Sequence, residues 1–141
     1  MIGFREIVKH PENGLPSLDI LVNIYRLQYC LNVVRILYDL PMTITSGYRT
    51  KEEHYRIYQT INSARLASGK QPITIPTKSM HLIGAAADVA DADGSLKEWV
   101  IKNLAVVEDL NLFFENFDYT KTWVHFSIYP PRSGERFFKP Y

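Results

Sequence analysis

The chain has 141 residues, enough for one domain with its own core and too few for two domains of ordinary size. Hydrophobic residues make up 46% and charged residues 22%, a balance that argues against a disordered chain. Sixteen Lys and Arg stand against fifteen Asp and Glu, and a net charge of +1 lacks the basic excess that marks a nucleic-acid partner.

Cys30 has no second cysteine to pair with, and it falls inside an apolar helical pattern where a small buried hydrophobe is expected. The first ten residues contain no apolar signal core, and no later stretch is expected to span a bilayer. The expectation is a soluble protein with no membrane partner and no export signal of its own. A substrate outside the cytoplasm would then require another agent to release the protein. No apolar seam marks an oligomer, so a monomer is expected.

Along the chain, Pro11 to Pro16 reads as a loop. Ser17 is placed to cap a helix in which Ile20, Ile24, Leu27, Leu31, Val34 and Tyr38 recur at helical spacing until Pro41 ends it. Met42 to Ser46 is short and rich in β-formers, and Gly47 interrupts it. Thr50 with Glu53 forms a capping box that opens a helix to about Ala67. Residues 73–78 contain two prolines and read as extended loop. Ala85 to Ala90 reads as a buried strand. Ser95 with Glu98 predicts a second capped helix, running to about Asp109. Leu112 to Glu115 and Trp123 to Tyr129 read as antiparallel strands. Residues 130–134 read as loop, with Phe137 and Phe138 packing back onto the body. Helices first and strands later, without βαβ alternation, predict an α+β fold: a single domain over residues 1–141, with a small antiparallel sheet flanked by helices.

Four histidines are available. His10 precedes a proline in a loop, and His54 lies on what looks like the exposed side of a helix; both read as solvent or structural residues. His81 is followed by Gly84, three alanines and Asp88, small residues that allow close backbone approach. In Trp123 to Ile128, alternation puts Val124, Phe126 and Ile128 on one strand face and Trp123, His125 and Ser127 on the other. Two imidazoles and one carboxylate are the protein ligands of a catalytic zinc, which keeps its fourth position for water. The alternative at this point is a salt-bridged Asp88 beside two ordinary histidines.

Ser79-Met80-His81-Leu82-Ile83-Gly84-Ala85-Ala86-Ala87-Asp88 resembles the Ser-x-His-x-x-Gly-x-Ala-x-Asp motif of the M15 peptidases, the zinc D-Ala-D-Ala carboxypeptidases and murein endopeptidases. Trp123-Val124-His125 looks like that family's second motif, and Ser46-Gly47-Tyr48-Arg49 like its upstream signature. The resemblance implies the hedgehog/DD-peptidase fold and a zinc ion held by His81, Asp88 and His125. It implies a substrate carboxylate gripped by Arg49 and a substrate hydrogen bond at Ser79. Peptidoglycan stem peptide would be the substrate, as for a phage-type lysis enzyme.

Many members carry an acid three residues before the last histidine, where this chain has Thr122. Glu115, at the end of the preceding strand, is the candidate general base, with Asp118 behind it. Trp123 and Tyr48 are expected to wall the cleft. Two rival readings differ in class. A non-catalytic, zinc-containing wall-binding module of the same fold would explain Thr122. Fe(II) oxygenase chemistry uses the same ligand types, but there the acid follows the first histidine almost at once, on a β-barrel strand. Here Asp88 comes seven residues after His81, and the strands are too few for a barrel.

Overall fold

In the computed structural model, which describes residues 1–140, the chain enters through a one-turn helix, α1 (Phe4–Ile7), and the long helix α2 (Leu18–Tyr38). Strand β1 (Ile44–Ser46) leads to helix α3 (Lys51–Ala67), and a 3₁₀ turn (Met80–Ile83) leads to β2 (Ala86–Ala90). Two short helices, α4 (Ser95–Lys102) and α5 (Leu104–Asp109), precede β3 (Phe113–Glu115), β4 (Trp123–Ser127) and β5 (Phe137–Phe138). The expected α+β class is observed.

The strands form one sheet in the order β1–β2–β4–β3–β5. The first four pair antiparallel, as expected, but β5 runs parallel to β3, so the sheet is mixed. The aromatic residues expected to pack back do so as a strand. Phe114 pairs with Phe137 in register, and their rings stack with centroids 5.4 Å apart.

The alternation in the strands divides the sheet into two chemically different faces. Val89, Phe114, Val124 and Phe126 face the core, where they join Ile24, Leu27, Leu31 and Val34 of α2 with Leu96, Val100 and Val107 of α4 and α5. The helical spacing read in α2 therefore marks its inner face correctly, and Cys30 is buried there as expected. The other face carries the polar residues, and α3 supplies the opposite wall of the cleft above it.

Local chemistry differs from expectation at several points. Thr50 and Glu53 form the predicted reciprocal box, at 3.2 and 2.9 Å. Ser17, by contrast, makes no side-chain cap. Ser95 does not cap α4: the Asp91 carboxylate accepts from the Leu96 and Lys97 amides at 2.9 and 3.1 Å, and Gly94 takes the cap position with φ +76°. The predicted 95–109 helix is split at Asn103, whose backbone leaves the helical region (φ −123°, ψ 39°) while its side chain bonds the Trp99 carbonyl. One helix, Leu18–Tyr38, is long and apolar enough by length and composition to cross a membrane, with mean hydropathy 1.2, where none was expected. The core needs one apolar face of that helix; its other face is also apolar.

Gly84 closes the 3₁₀ turn at φ +70°, and a Cβ there would meet Ile24 Cγ1 at 2.6 Å. Gly94, at φ +76°, has nothing within 4 Å. Gly94→Ala is expected to cost about 1 kcal/mol, the left-handed backbone alone. Gly84→Ala is expected to cost about 3 kcal/mol, because backbone strain and overpacking against α2 add. Urea unfolding of the two variants measures the difference.

Candidate metal centre

The sheet register assembles the site. Ser46 pairs with Asp88, and Asp88 with His125. The β3–β4 register, Phe113 with Ser127 and Phe114 with Phe126, carried one residue further sets Glu115 level with His125, and Glu115 pairs with Phe138. One row of cross-strand partners thus crosses all five strands. Directly opposed residues project to the same side of a sheet, so Asp88, His125 and Glu115 share a face. His81 joins them from the 3₁₀ turn, where Gly84 reverses the chain just before β2.

One donor atom each from His81, Asp88 and His125 lies within 4.8 Å of the others, and this His–Asp–His group could hold a metal ion. Asp88 is its centre. One carboxylate oxygen is 2.8 Å from His125 Nδ1, and the other is 3.4 Å from His81 Nε2 and 3.5 Å from Arg49 Nη2. His81 Nδ1–H donates to the Gly47 carbonyl at 2.7 Å, which leaves the Nε2 lone pair directed toward Asp88. A ring nitrogen tied to a backbone carbonyl is the usual outer support of a metal-binding imidazole. The donor chemistry and the fixed tautomer both fit a bound cation.

Gly47 makes that support possible. A Cβ there would lie 2.8 Å from Ile7 Cα, so only glycine lets the β1 end run against α1. The next residues lock in turn: Tyr48 N–H donates to the Ile7 carbonyl at 2.9 Å, and Arg49 N–H to the His81 carbonyl at 3.0 Å. Arg49 Nε donates to Ser46 Oγ at 2.8 Å, which orients the guanidinium beside Asp88.

Burial acts on every charge in this group. For Asp88, burial works to raise the pKa, but the hydrogen bond from His125 and the His81 imidazole beside the other oxygen outweigh it and hold the carboxyl well below the usual range. Burial lowers the His81 imidazole. In His125 the same desolvation is overcome by Asp88, and the net direction is up. Burial raises the Glu115 carboxyl, with the Asp88 charge adding to the shift.

The group opens into a cavity of about 540 Å³. Arg49, Ser79 and Glu115 line it beside the three ligand candidates, so these six residues singled out in the sequence meet there. Ser79 also caps the 3₁₀ turn, its Oγ accepting from the His81 N–H at 3.4 Å. Trp123 walls this cavity as expected, whereas Tyr48 lines a separate, neighbouring one. Asp118 and Thr122 are exposed and outside it.

Two residues of α3 were misread or missed. His54 is not exposed: it is 3% accessible, with Nε2 2.7 Å from the Pro76 carbonyl, and ties the 68–79 loop to the helix. Tyr58 packs on it with ring centroids 4.8 Å apart and lines the cavity. Burial raises the Tyr58 phenol, which stays protonated at neutral pH. The signal was present in the sequence, since His54, Ile57, Tyr58 and Ile61 fall at i, i+3, i+4 and i+7, one face of a helix.

Protein purified with divalent metal is expected to hold about one equivalent per chain, as a single three-donor set allows. Asp88→Ala and His125→Ala should hold none after dialysis, while Ser46→Ala, which removes only the hydroxyl that accepts from Arg49 Nε, should keep the ion. Elemental analysis reads all three. No model of a known protein family matches this chain, and no curated protein matches it.

Proposed function

We propose that this protein is a zinc-dependent peptidase that hydrolyses a peptide bond in bacterial peptidoglycan stem peptides. The observation that carries the reading is the row across the sheet, which puts Asp88, His125 and the separate carboxylate Glu115 on one face of one cleft, where His81 joins them from the 3₁₀ turn. A binding-only metal site needs the two histidines and Asp88 and has no use for Glu115. The sequence resemblance to zinc carboxypeptidases and murein endopeptidases, with its hedgehog/DD-peptidase fold, supplies the substrate class.

Zinc held by His81, Asp88 and His125 would supply Lewis-acid polarisation of the scissile carbonyl and a water acidic enough to lose a proton near neutral pH. The chain's own groups do the rest. Arg49 has its Nε committed to Ser46 and one terminal nitrogen near Asp88. The remaining donors of its fork take a substrate carboxylate, a planar match that lysine lacks. Glu115, its affinity for protons raised by burial, accepts the proton of the attacking water and returns it to the leaving amine. Ser79 and the Tyr58 phenol donate hydrogen bonds to the peptide. Trp123 and Pro130 form apolar walls that limit water.

Mass spectrometry of purified wall peptides, with and without a zinc chelator, tests this directly. New fragments that vanish with chelator are expected, and the mass lost identifies the bond. Retention of muropeptide without product, with zinc bound, would establish a wall-binding module instead. Glu115→Gln is expected to keep zinc and lower kcat by about 100- to 10,000-fold. Arg49→Lys is expected to act mainly on KM for substrates with a free carboxylate.

The same Glu115 variant has a stability signature. A carboxyl whose folded pKa is raised opposes folding once it ionises, and the penalty disappears as pH falls below the unfolded value. Chelator-treated Glu115→Gln should therefore unfold at higher temperature than the parent at pH 7. The gap should close as pH drops below about 4. Calorimetry across pH reads both limits.

A further inference from the structure

Helix α2 is apolar on two faces, and the core covers only one of them. Opposite Ile24, Leu27, Leu31 and Val34, the outward side carries Val22, Tyr25, Tyr29, Val33 and Ile36. Leu18 begins the same stripe, and Leu40 follows just beyond the helix end. Val22, Tyr25, Tyr29 and Ile36 are each more than half exposed, and Leu18 is 75% exposed. On ordinary side-chain areas the stripe presents on the order of 700 Å² of largely apolar surface, more than the largest patch of a typical monomer. A standard interface takes about 800 Å² from each partner, and Leu37, which flanks the stripe and is 52% exposed, extends it toward that figure.

The spacing of the stripe indicates what covers it. Positions 22, 25, 29, 33 and 36 are separated by three, four, four and three residues, a pattern that reads the same in both directions about Tyr29. Two copies of α2 laid antiparallel would set Val22 against Ile36, Tyr25 against Val33, and Tyr29 against itself, with Leu18 near Leu40. An isologous two-fold interface requires this self-complementarity, and the helix, about 31 Å long, supplies four turns of it. A lipid surface would draw no advantage from a palindromic stripe. Nor is the flank cationic, as an anionic bilayer would favour: Arg26 and Arg35 are balanced by Asp19 and Asp39.

We infer that the protein is a homodimer whose two-fold axis passes beside Tyr29 of α2, the outward apolar stripes of two copies packing antiparallel. This takes the place of the monomer expected from sequence. The sequence pattern of α2 was read for one apolar face, and the second became visible only when the core was assigned to the first. The inference is independent of the proposed chemistry, because its test reads mass and not turnover.

Sedimentation equilibrium of the full chain is expected to give twice the 16.3 kDa chain mass at micromolar concentration. Tyr29→Glu sets two carboxylates against each other at the axis and should weaken association by on the order of 100-fold. Its fold, checked by circular dichroism, should persist, because Tyr29 is largely exposed. Tyr29→Cys provides the geometric test: a residue on a two-fold axis meets its own copy, so mild oxidation should link two chains through position 29. Val22→Cys alone should not link, whereas Val22→Cys with Ile36→Cys should. Cys30, at 4% exposure, adds little background. A monomer at several hundred micromolar would overturn the inference, as would a dimer unaffected by Tyr29→Glu. Flotation of monomer with phosphatidylcholine vesicles, abolished by Tyr29→Glu, would also overturn it and assign the stripe to a membrane surface.

Discussion

The pairing of β2 with β4 is the constraint on which the site depends. Asp88 opposes His125 in that ladder, and a slip of one residue would send one of them to the opposite face of the sheet. The register is held by what lies beneath. Val89 against Val124 and Ala87 against Phe126 form the core-facing partners of the same two strands. Hydrophobic burial thus fixes a polar geometry that electrostatics alone would not choose. Removing an ionised carboxylate from water is costly unless partners surround it, and Asp88 has two imidazoles and a guanidinium within 3.5 Å.

The crowding around Asp88 explains the small residues nearby. Ala85, Ala86 and Ala87 are fully buried, and Gly84 and Gly47 sit where a Cβ would strike α2 or α1. These positions bring the 3₁₀ turn close enough to the sheet for His81 to reach a carboxylate on β2. They also bring the Gly47 carbonyl close enough to fix the His81 ring. The glycines and alanines support the site through backbone placement, and the charged residues act on that frame.

Much of this was legible in the sequence because it rests on local periodicity. The inner face of α2, the box at Thr50 and the two faces of β4 follow from spacing, whereas the grouping of His81, Asp88, His125, Arg49, Ser79 and Glu115 was expected from the resemblance. What was not legible rests on contacts between distant segments. His54 was expected on the exposed side of α3; its partner is the Pro76 carbonyl, 22 residues away. The single helix expected from 95 to 109 breaks at Asn103, and its cap comes from Asp91, outside the predicted box. The parallel pairing of β5 could not be read from a two-residue strand. Tyr58 shares a helix face with His54, Ile57 and Ile61, but the sequence does not say what that face packs against.

The position of the second carboxylate follows from the same sheet logic. Thr122 lies before the start of β4, where its carbonyl accepts from the Asp91 amide at 2.8 Å and its side chain faces solvent. Glu115 is placed differently. It ends β3 in the row that already contains Asp88 and His125, and the pairing of Phe138 beside it shields its outer side from water. Burial and the Asp88 charge raise its carboxyl, and a half-buried strand end next to a metal-ligand candidate is where a proton acceptor with raised affinity is of use. The β3–β5 pairing, the least predictable part of the sheet, is therefore what gives the carboxylate on β3 an environment that Thr122 and Asp118 lack.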